Sequence, residues 1–154
     1  MILFIQVEKP ATNPGEGREN MIRVLLIMQR RIMSDAIKRS LSDEAELQFF
    51  INQDYKNIGN YVQTYKPDIT LVEIPESKAS QPKEYLDICA GIRQTDSRCR
   101  LLLMCPENSG ESKQAAVEGV RSGILEDFIF YDVSTEYLKT KLKALGANNT
   151  NQDI

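Results

Sequence analysis

The run Asp68-Ile-Thr-Leu-Val-Glu73-Ile74-Pro75 sets a carboxylate at the end of a hydrophobic stretch, just ahead of a proline turn. A strand buried in a parallel sheet has no use for a charge inside its apolar run. At the carboxyl end of the strand the charge has a use, because open α/β sheets keep their working groups along that edge. Two readings of Glu73 stand: a solvated strand-end carboxylate, or a charge held by Arg30, Gln29 or the Tyr131 hydroxyl. Arg30 and Arg31 follow the first apolar run closely enough to reach such a pocket. The chain has no histidine, which removes histidine-assisted general base catalysis and most transition-metal sites. Cys89, Cys99 and Cys105 are odd in number and lack paired metal spacing. Cys99 and Cys105 bracket one predicted strand, roughly 20 Å of extended backbone, beyond disulfide reach. They read as buried, reduced thiols.

The elements that must position Glu73 alternate regularly from Met21 onward. Ile22–Met28 is a nearly continuous apolar run, as in a strand covered on both faces. Residues 31–42 place Ile32, Met33, Ala36, Ile37 and Leu41 at helical spacing. Glu46–Asn52 reads as a second strand. Residues 54–65 carry Tyr55, Ile58, Tyr61, Val62 and Tyr65 on one stripe, stopped by Lys66-Pro67. Ile69–Ile74 is a third strand, residues 83–94 a third helix, and Arg100–Cys105 a fourth strand closed by Pro106. Residues 111–122 form a helix ended by Gly123, and Asp127–Tyr131 is a fifth strand. Ser134 caps a last helix with Leu138, Leu142 and Leu145 inward. Strands alternating with single helices require right-handed crossovers and a parallel sheet. Five such units fit a flavodoxin-like, doubly wound (βα)5 fold of strand order 2-1-3-4-5, with its ligand edge at strands one and three.

The 154 residues suffice for one domain with a core of its own. A 42% hydrophobic and 27% charged composition is ordinary for a globular protein, and a net charge of -3 gives no basic face for nucleic acid. No segment approaches the ~20 apolar residues of a membrane span, and Met1–Val7 lacks the marks of a signal peptide. The expected location is cytoplasmic. Residues 8–20 are rich in Pro, Gly, Glu and Asn and read as a linker. Glu16-Gly-Arg-Glu-Asn20 can be encoded by an almost pure purine run, as a ribosome-binding site would be. Residues 1–20 are therefore either a short native arm or a leader translated ahead of a start at Met21. The domain is expected over 21–146, with a flexible polar tail over 147–154.

Three stretches resemble the receiver domain of bacterial response regulators: Ile22-Arg-Val-Leu-Leu-Ile27, Pro67-Asp-Ile-Thr-Leu-Val72, and Asp127-Phe-Ile-Phe-Tyr-Asp132 followed by a capped helix. Their order and spacing cover residues 22–145. The resemblance implies that two acids holding a magnesium ion should follow the first strand, where this chain has Met28 and Gln29. The phospho-accepting aspartate corresponds to Glu73. The serine or threonine ending strand four is Cys105, and the phosphoryl-pairing lysine is Tyr131. Phe128 matches the family's switch aromatic. Magnesium prefers octahedral oxygen ligands including carboxylates, which a thioether and an amide supply poorly. Five departures in one pocket imply a pseudo-receiver without phosphoryl transfer.

The resemblance places partner contacts on the face formed by the fourth helix, fifth strand and fifth helix. On this chain that face comprises Gln114, Val117, Glu118 and Arg121, Phe130 beside Phe128, and Lys139 and Lys143. The expected function is a non-enzymatic, phosphorylation-independent interaction module in bacterial signalling. It would require no cofactor or metal, bind no nucleic acid or membrane, and meet a protein partner, either itself as a homodimer or another signalling protein. The alternative is a sensor for a small, possibly anionic molecule at the switch-point crevice, supported by Arg30 and Arg31.

Overall fold

The computed structural model describes residues 21–152, so the arm or leader expected over residues 1–20 lies outside the described residues. Five strands, β1 Ile22–Ile27, β2 Leu47–Asn52, β3 Ile69–Glu73, β4 Arg100–Cys105 and β5 Asp127–Phe130, form one sheet. The spatial order is β2-β1-β3-β4-β5, and every pairing is parallel. The sequence order 2-1-3-4-5 is thus the observed one. Helices α1 Arg31–Ser40, α2 Ile58–Tyr65, α3 Lys83–Thr95, α4 Gly110–Arg121 and α5 Thr135–Gln152 make the connections and the closing element.

Alternation along the strands divides the core in two. Leu25, Ile27, Val72, Leu101 and Leu103 face α2, α3 and α4, meeting Val62, Cys89, Ile92 and Ala116. Val24, Leu26, Met28, Leu71 and Met104 face α1 and α5, meeting Leu41, Leu138 and Leu142. Both faces of β1, β3 and β4 are therefore covered, which explains why those strands read as unbroken apolar runs rather than alternating ones.

Several element ends shift by one or two residues, and three differences from the sequence reading have a visible cause or consequence. The second helix opens as a 3-10 turn over Tyr55–Asn57, because the Asp54 side chain accepts the Lys56 amide and tightens the entry before α2 begins. Pairing of β5 stops at Phe130. The amide of Tyr131 still reaches the Cys105 carbonyl at 3.0 Å, but the chain turns away there. Helix α5 does not stop at Gly146. It continues to Gln152, into the segment 147–154 expected to be a tail. Gly146 serves close approach instead of termination: a Cβ there would meet the Ile22 side chain at 2.6 Å. Gly123, with φ of 85°, and Ser134, whose Oγ accepts the Tyr137 amide at 3.1 Å, take the capping roles read from the sequence.

Candidate functional site

The carboxyl ends of β1, β3, β4 and β5 converge, as the sheet order requires. Glu73, the last residue of β3, has a wholly buried side chain. A carboxylate removed from water needs donors, and three N–H groups supply them. The Gln29 amide donates to Oε1 at 2.8 Å, the Arg30 amide to the same oxygen at 3.3 Å, and Arg30 Nε to Oε2 at 2.6 Å. Of the two readings of Glu73, the structure has the held carboxylate, and Arg30 and Gln29 hold it. Helix α1 begins immediately after, with no capping side chain of its own at Arg30.

Tyr131 does not touch that carboxylate. Its hydroxyl donates to the Ile74 carbonyl, and its ring lies under Arg30, whose guanidinium carbon is 4.1 Å from the ring centroid. Arg30 Nη2 also reaches Met33 Sδ at 3.2 Å. Burial and the neighbouring Glu73 charge both push the Tyr131 hydroxyl well above the usual phenol range, so it remains a donor. The sequence offered no cation from residue 131, and the pocket draws its cation from residue 30 instead.

Two further side chains complete the site. The Tyr55 hydroxyl donates to the Glu73 carbonyl at 2.7 Å, and Gln53 Nε2 donates to the Gln29 carbonyl at 3.0 Å. Both follow the end of β2, the same sheet edge, and that position was their available signal. In the sequence Tyr55 is one member of an apolar helical stripe and carries no other signal.

Cys105 is fully buried, its Sγ directed toward the Ser112 carbonyl at 4.0 Å, and burial raises its thiol to about 12. It is a poor hydrogen-bond donor to anything entering the crevice. The nearby hydroxyls of Ser109 and Ser112 point elsewhere, both donating to the Ala79 carbonyl, at 3.3 and 2.9 Å.

These residues do not fit a magnesium ion. Met28 presents a thioether wholly enclosed in the α1–α5 side of the core, Gln29 is exposed, and both oxygens of Glu73 are already taken by N–H donors. Among the described residues, no group of three or more acidic, cysteine or histidine side chains is placed to hold a metal.

The expected cations for an anionic ligand are both engaged. Arg30 pairs with Glu73, and Arg31 with Asp35 at 3.7 Å on the exposed face of α1. The expected docking face also needs amendment. Gln114, Glu118 and Arg121 are exposed on α4, with Glu118 and Arg121 paired at 3.3 Å, and Val117 is half-buried. Phe128 and Phe130 stack edge to face at 5.7 Å on the α4 side of β5. Lys139 and Lys143 belong elsewhere. They reach Glu44 at 3.5 and 2.5 Å, and Lys143 also reaches Glu46 at 2.9 Å, all on the loop leading into β2. The α5 residues beside β5 are Tyr137 and Lys141, the latter paired with Asp127. A groove of about 460 Å³ lies there, lined by Phe128, Phe130, Asp132, Val133, Ser134 and Tyr137.

Solved structures of the same architecture identify the fold. The chain superposes on the receiver domain of a protein named as a LuxO repressor in Vibrio parahaemolyticus, with TM-score 0.70 over 86% of this chain and 95% of that one, at 20% identity. The chain has the receiver-domain fold. A response regulator from Thermotoga maritima gives TM-score 0.69 at 16% identity over 82% of this chain and 98% of that one. A structure described as an adenylate cyclase from Rhodopirellula baltica gives 0.70 at 16% over 86% and 91%. No family model matches the sequence, and no curated protein matches it. Within the receiver fold, Glu73 occupies the switch-point edge, and no helix among the described residues is long and apolar enough to cross a membrane.

Proposed function

We propose that the chain is a degenerate receiver, a phosphorylation-independent protein-interaction module of bacterial signalling rather than an enzyme. The observation that carries this reading is the Arg30–Glu73 pair. The carboxylate at the phospho-acceptor position is buried and bonded on both oxygens. Any phosphoryl donor would have to displace the guanidinium before it could approach. Phosphoryl transfer depends on charge neutralisation as the bond forms, and loss of a single preorganised contact costs ~100- to 1000-fold in rate. Here the ion-holding acids, the hydroxyl and the lysine are replaced together by Met28, Gln29, Cys105 and Tyr131.

The working surface in this reading is the α4–β5–α5 face, met by a second copy or by another signalling protein. Its support is the edge strand β5 with Phe128 and Phe130, and the groove they share with Val133 and Tyr137. Edge strands and apolar patches of this kind mark contacts or are actively protected. The test is intact-mass measurement after acetyl phosphate treatment, with and without magnesium. The expected result is no added mass. A stoichiometric, magnesium-dependent gain of one phosphoryl group, abolished by Glu73→Gln, overturns the reading. Light scattering at micromolar concentration, alone and with an intact receiver added, tests the surface; a protein monomeric under both conditions removes it.

A further inference from the structure

The ends of β1, β3 and β5 are joined by one side chain. Arg30 sits just after β1, donates to Glu73 at the end of β3 at 2.6 Å, and covers the ring of Tyr131, the first residue after β5, at 4.1 Å. The Tyr131 hydroxyl closes the circuit by donating to Ile74, the residue after Glu73. A flat guanidinium can make an in-plane hydrogen bond and a face-on ring contact at once, which an ammonium cannot. The guanidinium is held over the ring by its Nε bond to Glu73, and Glu73 itself is fixed by two backbone amides.

We infer that Arg30 is a positioning residue: a built-in cation that takes the place of a divalent ion beside the strand-three carboxylate and, through Tyr131, holds the β5–α5 corner in one conformation. A dissociable ion or phosphoryl group can bias a two-state element because its occupancy changes. A covalently attached cation cannot leave. The corner it grips, residues 131–134, supplies Asp132, Val133 and Ser134 to the groove beside Tyr137. The shape of that groove is then set by the pocket at all times. This inference deepens the degenerate-receiver reading but does not need a known partner to be tested.

The experiment is native-state amide exchange on the full chain, comparing wild type, Arg30→Gln/Glu73→Gln, Tyr131→Leu and the combined triple variant. The paired Gln substitution removes both charges together, so no lone carboxylate remains in the core. Exchange at the hydrogen-bonded amides of this corner, Tyr131 and Val133, should quicken ~5- to 30-fold in the paired variant and in Tyr131→Leu, the factor for losing one or two kcal/mol of local contact. The triple variant should be no faster than Tyr131→Leu alone, since with the ring gone the Arg30–Glu73 pair has nothing left to hold at the corner. Helix α4, which makes no hydrogen bond or ring contact with these three residues, should exchange as in wild type. Tyr131→Leu provides an independent check, because coupling is reciprocal: it should also quicken the amides of Gln29 and Arg30. Unchanged exchange at Tyr131 and Val133 in the paired variant, additive effects in the triple, or no response at Gln29 and Arg30 overturns the inference. An unchanged corner would leave the absence of phosphoryl transfer standing, whereas phosphoryl uptake would overturn that reading without altering the exchange result.

Discussion

Replacing Arg30 with alanine exposes how much the pocket depends on its own cation. The substitution removes the charge-assisted bond from Nε to Glu73 Oε2, ordinarily ~1.5–3 kcal/mol, and the ring contact with Tyr131, another ~0.5–1 kcal/mol at a partly open site. Breaking a fully buried pair costs ~3–5 kcal/mol, because the surviving charge is stranded. Two features moderate that figure. The Arg30 side chain is 38% exposed, so water can enter behind the truncated residue, and Glu73 keeps two amide donors on Oε1. The expected loss is about 2–4 kcal/mol. With a urea slope near ~2 kcal/mol per molar, the unfolding midpoint falls by about 1–2 M at unchanged slope. Arg31→Ala is the control. Its pair with Asp35 spans 3.7 Å between side chains 69% and 42% exposed, and its loss should stay below ~0.5 kcal/mol. If Arg30→Ala unfolds within ~0.5 kcal/mol of wild type, the pair is no stronger than a surface contact and the account of the pocket is wrong.

Three other outcomes follow from the same structure. Magnesium at millimolar concentration should leave the melting temperature of the wild-type protein unchanged, because a ligand raises it only by binding the native state and the Glu73 oxygens are occupied; a dose-dependent rise contradicts this. Cys89, Cys99 and Cys105 are each pushed up to about 12, mainly by burial. The unfolded chain gives up thiol protons from about pH 9 while the folded chain keeps them, so these groups' contribution is fully present below pH 9 and is lost as pH rises toward 12. Denaturant midpoints across that window should fall, and less so in a variant with all three changed to Ser or Ala. Gly91→Ala on α3 meets nothing within 4 Å and should gain ~0.5–1 kcal/mol of helix propensity, whereas Gly119→Ala places a Cβ 2.8 Å from Leu125 and Leu86 and should destabilise by ~1 kcal/mol or more; thermal melts of the pair check both signs.

The strands were legible in the sequence because burial on both faces leaves unbroken apolar runs, and β1, β3 and β4 are such strands. Helix phase was legible for the same reason: Leu138, Leu142 and Leu145 define the inward stripe of α5. Legibility stopped at the flanks. Residues 137 and 141 lie on one side of that stripe and 139 and 143 on the other, about 100° away in each direction. Both flanks are polar at some positions, so composition does not say which borders β5. The lysines at 139 and 143 turned to Glu44 and Glu46 because complementary acids wait on the loop before β2, a contact nearly a hundred residues away in the chain. The pocket was legible as a set of residue types but not as a circuit. Arg30 and Arg31 are equivalent on paper, and only the start of α1 decides that one enters the crevice and the other faces water. The direction of the Tyr131 hydroxyl, toward a backbone carbonyl rather than the carboxylate, has no counterpart in the pattern of side chains at all.

The contact of Gly146 with Ile22 has an architectural consequence. A methyl group added at Gly146 would collide with the Ile22 side chain, so the first residue of β1 and the last helix are packed directly together. Tension applied between Ile22 and Gly146 would load that seam at the head of β1, an interior strand held between β2 and β3. A fluorescent or affinity module fused ahead of Ile22 would sit at the rim opposite the Glu73 pocket, and so leave the switch-point edge clear.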